Sequence, residues 1–472
     1  MNWEAFRERG AAAAHWAADY HAGLRERPVR AQTRPGALLA QLPQTAPEQA
    51  EDLDEILADL DRKIMPGITH WQHPRFFAYF PANAAPVSAL AEIYVNTIAA
   101  QCMLWQTSPA ATELETRVCD WMRHAVGLPN GFRGVIQDSA STATLCAVLS
   151  MRERALNWAG NKHGLSHQPR LRVYTSQEAH SSIDRAIWIA GIGEDNLVRI
   201  PAVGQQRAMD PDMLQQAITQ DRAAGYLPAG IIACIGGTSA GGTDDIETVI
   251  KVARADNLYT HVDAAWAGAA MICPEFQPLW SGVEQADSVV LNPHKWLGAQ
   301  FDCTTHFLRD PETLVKTLAI QPEYLKTHAA DGVVNYSEWS IPLGRRFRAL
   351  KLWFLLRAHG LEGLRRMIRD HVDWSERLAQ RIADTPGFEL VTPPMLSLFT
   401  FKKQPKPGQD ADRVNQDLVN KINDDGRIYL TQTRVDGALV IRFQAGAWTC
   451  SKEDIDMAYE VICEIGEMIE TA

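Results

Sequence analysis

Between residues 134 and 308 the sequence alternates short β-branched runs with helix-like segments, and this alternation limits the possible folds more than any other feature. The runs occupy 134–137, 171–175, 197–200, 230–235, 259–262, 288–291 and 304–308, with helical patterns at 142–156, 210–223 and 246–255 between several of them. A strand that returns through a helix pairs in parallel with its predecessor. The expectation is therefore an α/β fold, a mostly parallel seven-stranded sheet covered by helices, with ligands at the carboxyl ends of the strands. The residues just after each run are where chemistry is expected.

The flanks read differently. Residues 2–24 place Trp3, Phe6, Ala13, Trp16, Tyr20 and Leu24 at helical spacing, and a second helical stretch covers 48–64. Two amphipathic helices make a poor core alone, so a partner subunit is one candidate for covering them. After helical stretches at 347–359 and 363–382 come a strand at 397–402, a loop at 404–411, a helix at 413–422, strands at 427–431 and 438–443 joined around Asp436 and Gly437, and a last helix capped by Ser451. This divides the chain into a helical arm (1–84), a large α/β domain (85–360) and a small C-terminal α+β domain (361–472).

Composition closes several options. With 46 Lys+Arg against 57 Asp+Glu the formal charge is -11, and there is no basic run, so nucleic acid and anionic membranes are not expected partners. The apolar segment 89–105 is interrupted by Glu92, Asn96 and Gln101 and should not span a bilayer. The first ten residues hold Glu4, Arg7, Glu8 and Arg9, unlike a secretory signal, which predicts a cytoplasmic protein. Eight cysteines lie scattered without a C-x-x-C pair, as expected for reduced core thiols. No metal site is expected: His163 and His167 share an i, i+4 spacing but sit among Gly164, Ser166 and Pro169.

The run 288–291 leads into Asn292-Pro293-His294-Lys295-Trp296. A lysine at a strand end can enter a dry pocket, lose its proton more easily and attack a carbonyl, although a solvated surface lysine has the same local sequence. Upstream, 259–262 leads into Asp263-Ala264-Ala265-Trp266. A carboxylate here can keep the ring nitrogen of pyridoxal phosphate protonated, and small Ala265 leaves room for a flat ring; it can equally be a helix cap. Ser139-Ala140-Ser141-Thr142 opens a helix whose amides favour a phosphate, or is a plain serine cap. Gln177-Glu178-Ala179-His180 adds a histidine beyond another strand, placed to stack on a ring or to be a bystander. A rival of another class is Gly237-Thr238-Ser239-Ala240-Gly241, which matches the G-x-S-x-G nucleophile elbow of serine hydrolases. Gly242, Thr243, Asp244 and Asp245 come next, so no helix starts at Ser239 as an elbow requires, and no H-G-G-G oxyanion motif is present.

The segments around Lys295, Asp263 and His180, with Ile341-Pro342-Leu343-Gly344-Arg345-Arg346-Phe347-Arg348, resemble the group II pyridoxal-phosphate decarboxylases, closest to the aromatic L-amino-acid decarboxylases. The likeness runs in order from Met65-Pro66-Gly67 and Thr69-His70-Trp71 through Ser108-Pro109-Ala110 and Thr112-Glu113-Leu114-Glu115 to about Gly360, and the C-terminal module matches in pattern only. It implies the fold type I architecture, a homodimer with active sites at the subunit interface, and decarboxylation of tryptophan, phenylalanine, tyrosine or DOPA to the amine.

By the same resemblance Lys295 carries the cofactor, His180 and Ala265 lie over its two faces and Asp263 pairs with the ring nitrogen. Ser139, Ala140, Ser141, Asn292 and His294 hold the phosphate, Thr238 and Asp244 support the site, and Tyr324 sits on a mobile loop as the proton donor to Cα. The implied substrate wall is Trp71, Tyr79, Phe80 and Pro81 with Ala82, Gln101, Met103 and Gly344. Ala82, Gln101 and Met103 stand where the animal enzymes have Thr, Ile and Phe. Gly344 stands where histidine-specific and phenol-preferring relatives tend to have Ser, which implies a bulky aromatic substrate and little activity on histidine. The runner-up is an aromatic aldehyde synthase, in which the tyrosine or the histidine is typically replaced.

Overall fold

All seven runs become strands of one sheet: β1 (Arg133–Gln137), β2 (Leu171–Ser176), β3 (Leu197–Ile200), β4 (Leu227–Cys234), β5 (Tyr259–Asp263), β6 (Ser288–Leu291) and β7 (Thr304–Leu308), in the order β1-β7-β6-β5-β4-β2-β3. The computed structural model describes residues 2–320 and 332–471. From β3 through β6 every neighbouring pair is parallel, while β7 runs antiparallel to both β6 and β1. The chain between β6 and β7 contains no crossover helix, which is why these two strands run in opposite directions. β5 and β6 are buried along their whole length, so neither alternates between a core face and a solvent face, and Thr260, His261, Asp263 and Ser288 are buried with their apolar neighbours.

The helix Ala140–Ala155 follows β1 and buries Ala143, Cys146, Ala147, Val148 and Met151. Ala147, Val148 and Met151 share an apolar cluster with Val173 of β2, Ile232 of β4 and Tyr259 of β5. Helix Ile246–Ala255 is capped by Asp245, which accepts from the Thr248 amide, and buries Ile246, Val249, Ile250 and Ala253. A long helix, Arg348–Ala383, is broken at Gly360 (φ 61°, ψ 167°), the gap between the two predicted helical stretches. These strands and the first two of these helices belong to one compact unit, Ala82–Val372 with Thr392–Leu398.

The second unit comprises Met1–Pro81, Asp373–Val391 and Phe399–Ala472. Its first helix, Trp3–Ala22, starts at Asn2, whose side chain accepts from the Ala5 amide, and buries none of its residues. A four-stranded sheet has the order (Phe388–Met395), (Leu398–Lys403), (Ala438–Gln444), (Thr431–Val435). Phe77, Phe399, Phe401, Ile441 and Phe443 pack in its core with Ile462 of the last helix, Lys452–Thr471. Two expectations shift here. The strand expected at 427–431 lies at Thr431–Val435, paired through the Asp436-Gly437 turn, both residues at positive φ. Phe388–Met395 is a further strand, outside the expected set; it tolerates Pro393 and Pro394 because it lies at the sheet edge. No helix among the described residues is long and apolar enough to cross a membrane.

Candidate active site

The carboxyl ends of β1, β2, β4, β5 and β6 open into a cavity of about 180 Å³ lined by Ser139, Ala140, Ser141, His180, Thr238, Asp263, Ala265, Asn292, His294 and Lys295, with Ser182, Cys234, Ile235, Gly236 and Trp266. Residues up to 156 positions apart in sequence therefore meet in one place. They come from the last residue of a strand, the few residues past one, or the first turn of a helix.

On the β1 side Ser139 has extended backbone and its Oγ accepts from the Thr142 amide at 3.2 Å, capping the helix that follows. The same hydroxyl is 3.0 Å from Asp138 Oδ1. First-turn amides of a helix lack intrahelical acceptors, so this corner attracts an anion. Asn292 and His294 line the same cavity. Asn292 Oδ1 accepts from Thr304 Oγ1 at 2.8 Å, and His294 Nδ1 accepts from the Cys303 amide at 3.0 Å, leaving the ring proton on Nε2. Burial, helped by the Lys295 charge, pushes His294 down to about 3. Lys295 is half-buried; its carbonyl accepts from Asn83 Nδ2 at 2.8 Å, which fixes its backbone from the far side.

Asp263 closes β5 and is buried, with Oδ1 accepting from the Ala265 amide at 3.1 Å. Nearby Gly236, at φ 72°, brings its carbonyl to 2.5 Å from Trp266 Nε1; a Cβ there would lie 2.7 Å from that nitrogen, so only glycine fits. His180 lines the cavity and is exposed in the single chain. The Ser182 amide donates to His180 Nδ1 at 3.1 Å, so the neutral ring carries its proton on Nε2. The surrounding protein lowers its pKa, and Lys295 adds to that, against the opposing pull of Asp263.

Asp244 does not line the cavity. It is buried, both its oxygens accept, from the Met209 amide and from the amide of the cavity residue Cys234 at 2.7 Å each, and burial raises its pKa to about 6. Gln101 and Gly344 line a different cavity, of about 570 Å³, with Asn96, Pro342, Arg345 and Arg346. Gln101 Oε1 accepts from the Arg345 amide at 2.7 Å, and a Cβ on Gly344 would lie 3.2 Å from Gln101 Nε2. The Met103 carbonyl accepts from the Ser337 amide at 2.9 Å, and Ala82 is half-buried beside Asn83. Trp71, Tyr79, Phe80 and Pro81 belong to the other unit, where Trp71 stacks on Tyr79 with ring centres 5.7 Å apart and Tyr79 has φ 46°. Tyr324 lies outside the described residues. The Gly237 to Gly241 segment is no nucleophile elbow: Ile235 bridges back to Thr243 and the next helix begins only at Ile246.

Sequence reading missed the supports of this site. Arg345 and Glu115 form a buried ion pair, NH2 to Oε1 at 2.6 Å and NH1 to Oε2 at 3.1 Å, and together they grip Ile136 of β1 by its amide (2.8 Å to Glu115) and its carbonyl (2.7 Å to Arg345). Arg207 pairs with Glu178 at 2.8 Å, two residues before His180. The only sequence signal for the first pair is that Glu115 and Arg345 both fall inside the motifs that carried the resemblance.

The donor set suits pyridoxal phosphate: helix-end amides with serine and His294 Nε2–H for a phosphate, a buried carboxylate for a protonated ring nitrogen, and a lysine for an aldehyde. Residues 35–404 match the pyridoxal-dependent decarboxylase conserved domain, and the chain belongs to that family. It is a pyridoxal-phosphate-dependent carboxy-lyase of the fold type I architecture. Among its relatives, tryptophan decarboxylase 2 of Oryza sativa subsp. japonica is 38% identical over 98% of this chain and 94% of that protein. The phenylacetaldehyde synthase of Arabidopsis thaliana is 38% identical over 98% of this chain and 96% of that protein. The crystal structure of Oryza sativa TDC with PLP and tryptamine superposes with a TM-score of 0.96 at 32% identity, covering 99% of both chains.

Proposed function

We propose that this chain releases CO2 from an aromatic L-amino acid, of the tryptophan, phenylalanine, tyrosine or DOPA type, and yields the amine. The observation that carries the reading is the meeting of Lys295, Asp263, His180 and the helix end at Ser139 in one cavity. The names of the relatives supply the aromatic class. In this reading Lys295 is the attachment point for the cofactor aldehyde, Asp263 holds the proton on the ring nitrogen, and Ala265 and His180 flank the ring. Ser139, Ala140, Ser141, Asn292 and His294 bind the phosphate, with Thr238 and Asp244 in support. The bound cofactor supplies an electron sink for the charge left when CO2 departs. His180, neutral and protonated at Nε2, offers that proton to the substrate carboxylate, and Tyr324 delivers a proton to Cα. Excluding water and O2 while that happens keeps the reaction on the amine path, because the aldehyde path takes O2 as oxidant and returns peroxide.

The resemblance supplies the wall for the substrate side chain, Trp71, Tyr79, Phe80, Pro81, Ala82, Gln101, Met103 and Gly344, none of which lines the cavity around Lys295 in the single chain. We place the arm, cofactor domain and C-terminal domain at 1–84, 85–360 and 361–472, and the protein in the cytoplasm as a homodimer with its sites at the subunit interface. Helix Pro86–Ile98 supports the dimer, because it leaves Leu90, Ile93, Tyr94 and Ile98 about half exposed in the single chain.

The second reading, an aromatic aldehyde synthase, has support from the Arabidopsis relative. His180 and Tyr324, both present, favour the amine. The test compares CO2 and amine release from tryptophan by wild type, Lys295→Ala and Tyr324→Phe. Lys295→Ala is expected to abolish release and Tyr324→Phe to shift product toward aldehyde; undiminished turnover by Lys295→Ala would reject the reading.

A further inference from the structure

Beside the cavity, the sheet holds polar atoms that the reaction does not use. Asp263 pairs with Val290 on β6, and Val290 pairs with His306 on β7, so Asp263 and His306 occupy one row two strands apart, about 10 Å between Cα atoms. His261 precedes Asp263 by two residues on β5 and shares its face. That face is the one under helix Ala140–Ala155: Tyr259 on β5 packs with Met151, and Leu308 on β7 packs with Cys146. The two imidazoles are fully buried, with ring centres 5.8 Å apart and planes at 88°.

His261 Nδ1 lies 2.7 Å from Ser288 Oγ, but His261 Nε2 and both nitrogens of His306 have no hydrogen-bond partner among the described residues. Two buried hydroxyls of the covering helix, Thr144 Oγ1 and Ser150 Oγ, also lack partners there. A neutral imidazole keeps one N–H and one lone pair, and native proteins rarely leave such groups unpaired inside a core. Buried water answers that need where at least two polar partners converge. Burial keeps both rings neutral, with His306 pushed down to about 3, so a charged pairing between them is not the alternative.

We infer that His261 and His306 bind ordered water between the sheet and helix Ala140–Ala155, and that this water-linked pair braces the end of β5, making His306 a positioning residue for Asp263. The bracing rests on the proposed contact of Asp263 with the cofactor ring; the water does not, so the two fail separately.

The test is the crystal structure of the wild-type holoenzyme and of His306→Leu at a resolution that shows solvent, with pyridoxal-phosphate dissociation constants for wild type, His306→Leu and His306→Gln. Expected are solvent density within hydrogen-bonding distance of His261 Nε2 and a His306 nitrogen in wild type, its loss in His306→Leu, and a dissociation constant raised about tenfold by Leu, the scale of one hydrogen bond, with Gln restoring most of it. A dry layer in wild type overturns the water site. Water present, with cofactor affinity unchanged in His306→Leu, overturns the bracing.

Discussion

Removing the carboxylate of Glu115 is expected to be among the most damaging single changes outside the cavity. Its side chain and that of Arg345 are 3% and 2% exposed, so neither charge is screened by water. Glu115 accepts two bonds from Arg345 and one from the Ile136 amide, and Arg345 also donates to the Ile136 carbonyl. In Glu115→Gln one acceptor oxygen becomes an amide donor facing other donors, and the guanidinium keeps a buried, uncompensated charge. Breaking a buried pair in this way costs about 3–5 kcal/mol. At roughly 2 °C per kcal/mol for a unit of this size, the melting temperature should fall by about 6–10 °C. Replacing both residues with leucine removes the stranded charge and leaves mainly the Ile136 groups unpaired, at about 1–3 kcal/mol, so the double variant should be more stable than Glu115→Gln. Thermal unfolding of the holoprotein by circular dichroism reads both. A shift below about 2 °C for Glu115→Gln, or a double variant less stable than the single, would refute the reasoning.

Two further outcomes follow from particular contacts. His371 is buried, accepts from Trp296 Nε1 at 3.0 Å and is pushed down to about 4 by burial, below its ordinary value of 6.5. Below pH 6.5 the unfolded chain takes up a proton that the folded chain refuses, so this histidine's stability contribution is lost as pH falls toward 4; His371→Gln keeps an acceptor for Trp296 and should lose about 2 kcal/mol less than wild type between pH 6.5 and 5, measured by denaturant titration. Gly236→Ala puts a methyl 2.7 Å from Trp266 Nε1 and 2.9 Å from Ala267 Cβ at φ 72°, and should cost about 1–3 kcal/mol of stability and weaken cofactor binding; an alanine variant with wild-type affinity and melting temperature would remove Gly236 from the account.

Much of the sheet was legible because its central strands are buried and concentrate β-branched and aromatic residues in short runs; 259–262 and 288–291 were placed to within a residue. The cavity residues were legible for a related reason, since an α/β sheet presents its ligands just past such runs, and Asp263 and Lys295 stand there. The Glu115 to Arg345 pair was not, because 230 residues separate its members and nothing local marks either as buried. The proton position on His180 depends on the Ser182 amide, a backbone contact with no compositional trace. Phe388–Met395 hid behind Pro393 and Pro394, which only an edge position tolerates. The His261 and His306 pair hid because each is a lone histidine in a short strand that becomes informative only when register brings the two together.

The most direct test of the central claim is product stoichiometry from tryptophan, 5-hydroxytryptophan, DOPA, tyrosine, phenylalanine and histidine with the holoenzyme. At least one of the aromatic substrates should give CO2 and amine in equal amounts without peroxide, and histidine should give little. Aldehyde, ammonia and peroxide in stoichiometric yield, or a preference for histidine, would contradict it.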